Sequence, residues 1–116
     1  MIQIKRAYED AAKSDGYRVL VDRLWPRGIS KEEAHLDAWE KDLAPTSELR
    51  KWFNHEPEKF DDFKSKYLEE LSNSSTAQEL LDKYRLLAKS QVLTLVYGAK
   101  NEKFNQAVVL KDLLEK

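Results

Sequence analysis

The chain has 116 residues, a mass of 13.6 kDa, no cysteine and a net charge of −1. That length suits one domain, 1–116, which buries roughly two-thirds of the surface its unfolded chain exposes and needs no covalent staple. The lack of cysteine excludes thiol catalysis, thiolate metal sites and disulfides. No apolar run approaches the roughly 18 residues that span a membrane, so the chain reads as a cytoplasmic protein with no membrane partner.

Charge is balanced overall but not along the chain. Residues 1–36 carry 7 basic and 6 acidic side chains, residues 37–71 carry 6 and 10, and residues 72–116 carry 7 and 5. A nucleic-acid binder normally shows a net basic field, because phosphate neutralisation dominates its affinity. Nucleic acid is therefore a less favoured partner, and any anion site must be local.

Ile2-Gln3-Ile4 alternates apolar and polar, as a short strand does. Asp15-Gly16 is a turn pair, and Tyr17-Arg18-Val19-Leu20-Val21 reads as a strand buried on both faces. Pro26 and Gly28 end that segment. Ser30 and Glu33 form a capping-box pattern, with Ile29 placed to pack on Ala34. Thr46 can cap a short helix carrying Leu49, Trp52 and Phe53. A longer helix runs from about Pro57 to Leu71, with Phe60, Phe63, Tyr67, Leu68 and Leu71 on one stripe.

After Ser72-Asn73-Ser74-Ser75, a further helix spans about Thr76 to Lys89. Val92 to Tyr97 is a second buried strand, ending at Gly98. Asn101 can cap a last helix bearing Phe104, Ala107, Val108, Leu110 and Leu114. Trp39 and Trp52 sit at helical spacing with Leu43 and Phe53 and read as core. A strand, a long helical crossover, another strand and a helix argue for a small layered α/β fold. Its sheet has three short strands, mostly parallel, flanked by helices. The Ile2 strand pairs in parallel or, given its short connection, as a hairpin.

Ligands of open α/β sheets bind beyond the carboxyl ends of the strands. Here those ends are Asp22-Arg23-Leu24-Trp25-Pro26-Arg27-Gly28 and Tyr97-Gly98-Ala99-Lys100-Asn101, each switching abruptly from apolar to polar. Arg23 and Arg27 offer guanidinium forks for phosphate or carboxylate; the alternative is an Asp22–Arg23 structural ion pair. Lys100 and Asn105 flank the last helix, where an anion can be held, or they serve only as a surface charge and a polar first-turn residue. Asp22 and His55 are the candidate acid/base groups, set against a structural role for each. Trp25 either stacks on a ligand or lids the core. His35 has no partner at metal-ligand spacing and reads as a surface residue.

Taken together, YRVLVDRLWPRG from Tyr17 to Gly28, the Asp42-Leu43-Ala44-Pro45-Thr46-Ser47 and Leu49-Arg50-Lys51-Trp52-Phe53 segments, His55, and VLTLVYGAK from Val92 to Lys100 resemble the YeaO-like branch of the domain of unknown function 488 family. The resemblance covers nearly the whole chain. It implies a compact α/β domain with distinctive polar residues at the strand ends, and it adds Arg50 and Tyr97 to the candidates. Longer relatives tend to carry cysteines after the last strand; this chain has none, so no thiol mechanism transfers to it.

The resulting expectation is a protein that binds a phosphorylated or otherwise anionic small molecule, a nucleotide among the candidates, in a cleft at the strand ends. Arg23, Trp25, Arg27, Arg50, Tyr97, Lys100 and Asn105 would line it. The alternative is a non-catalytic interaction or regulatory module contacting nucleic acid. No metal site, cofactor, reaction or oligomeric state is specified.

Overall fold

The computed structural model describes residues 1–116. Four parallel strands form one sheet: β1 (Ile2–Arg6), β2 (Tyr17–Leu20), β3 (Ala38–Trp39) and β4 (Leu93–Tyr97), in the spatial order β1-β4-β2-β3. The first strand is parallel, not a hairpin arm: Ile2 pairs with Leu93 and Arg6 with Tyr97. On the other side of β4, Tyr17 to Leu20 pair with Leu93 to Val96. Both inner strands are buried on both faces, with Val19, Leu20, Leu93 and Leu95 fully enclosed.

The fourth strand corrects the expected count of three. β3 is two residues long and pairs Ala38 and Trp39 with Val19 and Leu20. Asp37, Glu40 and Lys41 flank it, so no alternating run exists to announce it. Trp39 thus sits on a strand rather than a helix.

Five helices complete the chain: α1 (Lys31–Ala34), α2 (Ser47–Phe53), α3 (Phe60–Ser72), α4 (Ser75–Ser90) and α5 (Gln106–Glu115). The starts of α1 and α2 follow the sequence signals. Ser30 Oγ accepts from the Glu33 amide while Glu33 accepts from the Ser30 amide. Thr46 and Ser74 cap α2 and α4. The α5 start differs. Asn105, not Asn101, caps that helix through Val108, while Asn101 closes a turn onto Lys103 and Phe104.

One face of the sheet carries Ile2, Val19, Val21, Leu93, Leu95 and Tyr97, packed under Phe63, Tyr67, Leu81, Tyr84 and Leu110 of the helices. Alternation sends the intervening residues to the opposite face. There Leu20 and Val96 meet Ala7, Trp25, Ile29, Leu36 and Trp39. The same face holds a buried polar group. Arg18 donates to Asp15 at 2.6 Å and to the Ala34 carbonyl. Lys5 and Gln3 also donate to Asp15, and the Thr94 hydroxyl donates to the Asp15 carbonyl. Burial alone would raise the Asp15 carboxyl, but the Ala12 amide, Lys5 and Arg18 outweigh it and hold it below the ordinary value.

Trp52 is a further correction. It is 38% exposed, with Lys59 and Lys66 ammonium groups 5.1 and 5.2 Å from its ring centre. In a helix as short as α2, Leu49 and Phe53 take the inward positions and Trp52 falls outside them.

Candidate functional site

The loops after β2 and β4 leave the sheet at the same edge, because the strands are parallel neighbours in register. Asp22 follows one strand and Gly98 the other. Asp22 Oδ2 accepts the Gly98 amide at 2.8 Å, and Oδ1 accepts from the Gln106 side chain at the start of α5. A β-carbon on Gly98 would sit 3.0 Å from Asp22 Oδ2, so glycine lets the two loops approach closely. The Asp22 carbonyl accepts Trp39 Nε1–H at 2.7 Å, which fixes the loop to β3.

These contacts frame a cavity of about 620 Å³. Asp22, Arg23, Trp25, Arg50, His55, Lys100 and Asn105 all line it, brought together from three separate stretches of sequence. Phe53, Phe63 and Phe104 form an aromatic wall; Phe53 and Phe63 stack with centroids 4.3 Å apart. Trp25 stands between the cavity and the sheet face. It lines the cavity, packs edge-on against Trp39 and donates to the Ile29 carbonyl at 2.6 Å.

Several candidates are already committed within the chain. Arg23 Nε donates to the Pro45 carbonyl at 3.0 Å and Nη2 to that of Ala44 at 3.3 Å. It braces the segment before α2 and does not form the Asp22–Arg23 ion pair. Asn105 is 1% exposed, and its amide is used by Val108 and the Asn101 carbonyl. These bonds shape the α5 start.

Two candidates lie off the cavity wall. Tyr97 is 2% exposed and points into the helix-covered core, as its alternation with Leu93 and Leu95 requires. Arg27 is exposed and contributes only its carbonyl, which accepts the Tyr8 hydroxyl at 3.0 Å. The expected convergence of Arg23, Arg27 and Lys100 is therefore corrected. Arg50 of α2 takes the third cationic place: it lines the cavity, and Arg27 does not.

Arg50 and Lys100 are exposed, and no carboxylate lies within ion-pair distance of either. Asp22 is the cavity's one carboxylate. Burial pushes its carboxyl up to about 6, against the pull of the Gly98 amide, Arg50 and Gln106. His55 stands at the rim in the left-handed region, φ 56°, directly after Asn54 at φ 47°. Successive left-handed residues without glycine are strained, and such strain concentrates at functional sites. No group of three or more His, Asp or Glu side chains gathers to hold a metal ion.

Tyr8 and Gln106 belong to this site and carried no sequence signal. Gln106 is 84 residues from its partner Asp22, and nothing local marks either as the other's neighbour.

A family model described as "Inactive DUF488-N3 subclade" matches residues 1–116. The chain belongs to that subclade. This DUF488-N3 member is 49% identical over 114 residues to Uncharacterized protein YeaO of Escherichia coli (strain K12), covering 97% of this chain and 96% of the relative. It is 44% identical over 113 residues to Uncharacterized protein Rv3073c of Mycobacterium tuberculosis, covering 97% and 92%. No solved structure matches it. No helix of this DUF488-N3 chain is long and apolar enough to cross a membrane.

The raised Asp22 carboxyl has a measurable effect on stability. Between 3.8 and about 6 the native chain holds this proton and the unfolded chain does not. Unfolding free energy therefore falls as pH rises through that window, and stability gained from Asp22 protonation is gone above it. A shift of about two units corresponds to about 3 kcal/mol. Urea melts across this range should show the decline in the wild type and lose it in Asp22→Asn. A wild-type profile that is flat over the window would contradict the burial of this carboxylate.

Proposed function

We propose that this chain binds a phosphorylated or otherwise anionic small molecule, a nucleotide among the candidates, in the cavity at the strand ends. One observation carries this reading: Arg23, Arg50 and Lys100 line the same cavity as a single carboxylate, and Arg50 and Lys100 have no ion-pair partner of their own. Unpaired cations converging on one concave, partly apolar space suit an anion with an organic body. The aromatic wall and Trp25 would pack against that body. The reading is of binding rather than turnover. Asp22 and His55 are not hydrogen-bonded to one another, and the family's own description is of an inactive subclade. A cytoplasmic setting belongs to the same proposal.

A thermal-shift screen of nucleotides, phosphosugars and short oligonucleotides at two salt concentrations tests it. A saturating shift by one small anion supports the reading. Oligonucleotide binding that collapses steeply with salt would favour the nucleic-acid alternative instead. Arg50→Ala and Lys100→Ala should each weaken the bound anion by about tenfold or more, the scale of one charge-assisted hydrogen bond. Their melting temperatures should stay near wild type, since both side chains are exposed. Unchanged affinity in both variants would remove the cations from the site.

A further inference from the structure

A carboxylate on the wall of an anion site is a contradiction to be resolved. An anion drawn in by Arg50 and Lys100 meets Asp22, which lines the same cavity and feels the charge of Arg50. Two like charges in a partly desolvated space repel strongly, and a shared proton is the usual remedy. An ionised carboxylate has about four acceptor positions. The Gly98 amide and the Gln106 side chain each use one, which leaves Asp22 able to take a proton without losing either contact.

The groups facing Asp22 fit this. Arg23 comes from its own loop, Arg50 and His55 from α2 and the turn after it, and Lys100 from the loop after β4. Tyr67 of α3 also senses it, but that hydroxyl donates to the Leu43 carbonyl and burial keeps it neutral. The start of α5 contributes the uncharged Gln106. Apart from Asp22, no acidic side chain lines the cavity to take the proton.

We propose that Asp22 binds the anion as the protonated acid, its own O–H donating to an anionic oxygen, so that ligand capture is linked to proton uptake at this carboxyl. The inference rests on the anion-binding reading above and names the chemistry at one wall of that site. An O–H to oxyanion hydrogen bond is short and strong, so protonation turns a repulsive contact into an attractive one. The favoured ligand group is an oxyanion with a free acceptor oxygen. A ligand presenting an amine at this point would prefer the ionised carboxylate and show the opposite pH dependence. Burial has already raised Asp22 to about 6, so a modest additional negative charge carries its protonation toward neutral pH.

The Gly98 amide bonds directly to Asp22 Oδ2, so its NMR shift reports the proton on Asp22. It would be followed from about pH 5 to about pH 8 with and without sulfate, which stays dianionic throughout that range. Sulfate should raise the Gly98 midpoint by about one pH unit, and should bind about tenfold more tightly at the acid end than at the alkaline end. Asp22→Asn should bind sulfate with little pH dependence. In His55→Gln, whatever its sulfate affinity, sulfate should still raise the Gly98 midpoint, which separates Asp22 from the histidine. Sulfate binding that leaves the Gly98 midpoint unmoved or lowers it overturns the proton link while anion binding stands. So does a Gly98 midpoint that sulfate no longer raises in His55→Gln. Absence of sulfate binding to the wild type at every pH overturns the anion-binding reading and this inference with it.

Discussion

Alanine at Arg18 is expected to lower the unfolding free energy by about 3–5 kcal/mol, the scale for breaking a buried ion pair by removing one partner. Arg18 and Asp15 are 3% and 2% exposed and meet at 2.6 Å. Without the guanidinium, Asp15 keeps only Lys5 as a charged partner, at 3.2 Å, and the Ala34 carbonyl loses two donors. The consequence reaches further than the pair. Asp15 holds the connection from β1 to β2 against the sheet through Gln3, Lys5 and Thr94, so the whole polar face loosens together. Replacing both partners, Arg18→Met with Asp15→Leu, should recover much of the loss, because no charge is then stranded. Urea denaturation of the three proteins decides it. A single-mutant loss under about 1 kcal/mol would mean that Lys5 alone neutralises Asp15.

Gly16→Ala is expected to be as damaging, by about 4 kcal/mol or more. Gly16 has φ 62° and ψ −127°, a region open essentially to glycine. A β-carbon there would stand 2.3 Å from the Val92 carbonyl oxygen, and that oxygen also accepts the Tyr17 amide at the first rung between β2 and β4. The clash is with backbone, so no side-chain rotation relieves it. Gly28→Ala provides the comparison. Its φ is 78°, but nothing lies within 4 Å of the added carbon, so only the backbone penalty of about 1 kcal/mol applies. Circular dichroism melts of the two variants should separate them clearly. Similar melting temperatures would contradict the close approach of Gly16 to β4.

The turn at Gly16 was legible in the sequence, as were β2, β4, the caps at Ser30 and Thr46 and the two long helices, because each is written in local chemistry. Apolar β-branched runs, a Ser-to-Glu spacing and a stripe at helical period need no partner to be read. What lay hidden was pairwise and distant. β3 is two residues that become a strand only because Val19 and Leu20 lie beside them. The cavity as a location followed from the strand ends, and Asp22, Arg23, Trp25, Arg50, His55, Lys100 and Asn105 do line it. Their individual duties did not follow. Arg23 looked like a free guanidinium until the Ala44 and Pro45 carbonyls appeared opposite it, and Asn105 became a cap once the helix start moved from Asn101. Tyr97 shows the reverse error: a residue at a strand end is not in the cleft when alternation turns it toward the helices.

The strand order β1-β4-β2-β3 carries a consequence for how the chain comes into being. β4 is the central seam, yet it is the last strand to leave a ribosome. Until Leu93 to Tyr97 emerge, β1 has no neighbour at all, and β2 has only the two-residue β3. The rung from Ile2 to Leu93 closes a loop that spans most of the molecule, and such distant pairings are formed late because chain entropy opposes them. A nascent chain stopped before β4 would therefore hold helices and turns but no sheet worth the name, with Val19, Leu20 and Val21 uncovered. Folding of this protein is then a single event awaiting its final quarter. In a cell, the interval between synthesis of β2 and arrival of β4 is when the chain depends most on being kept from its neighbours.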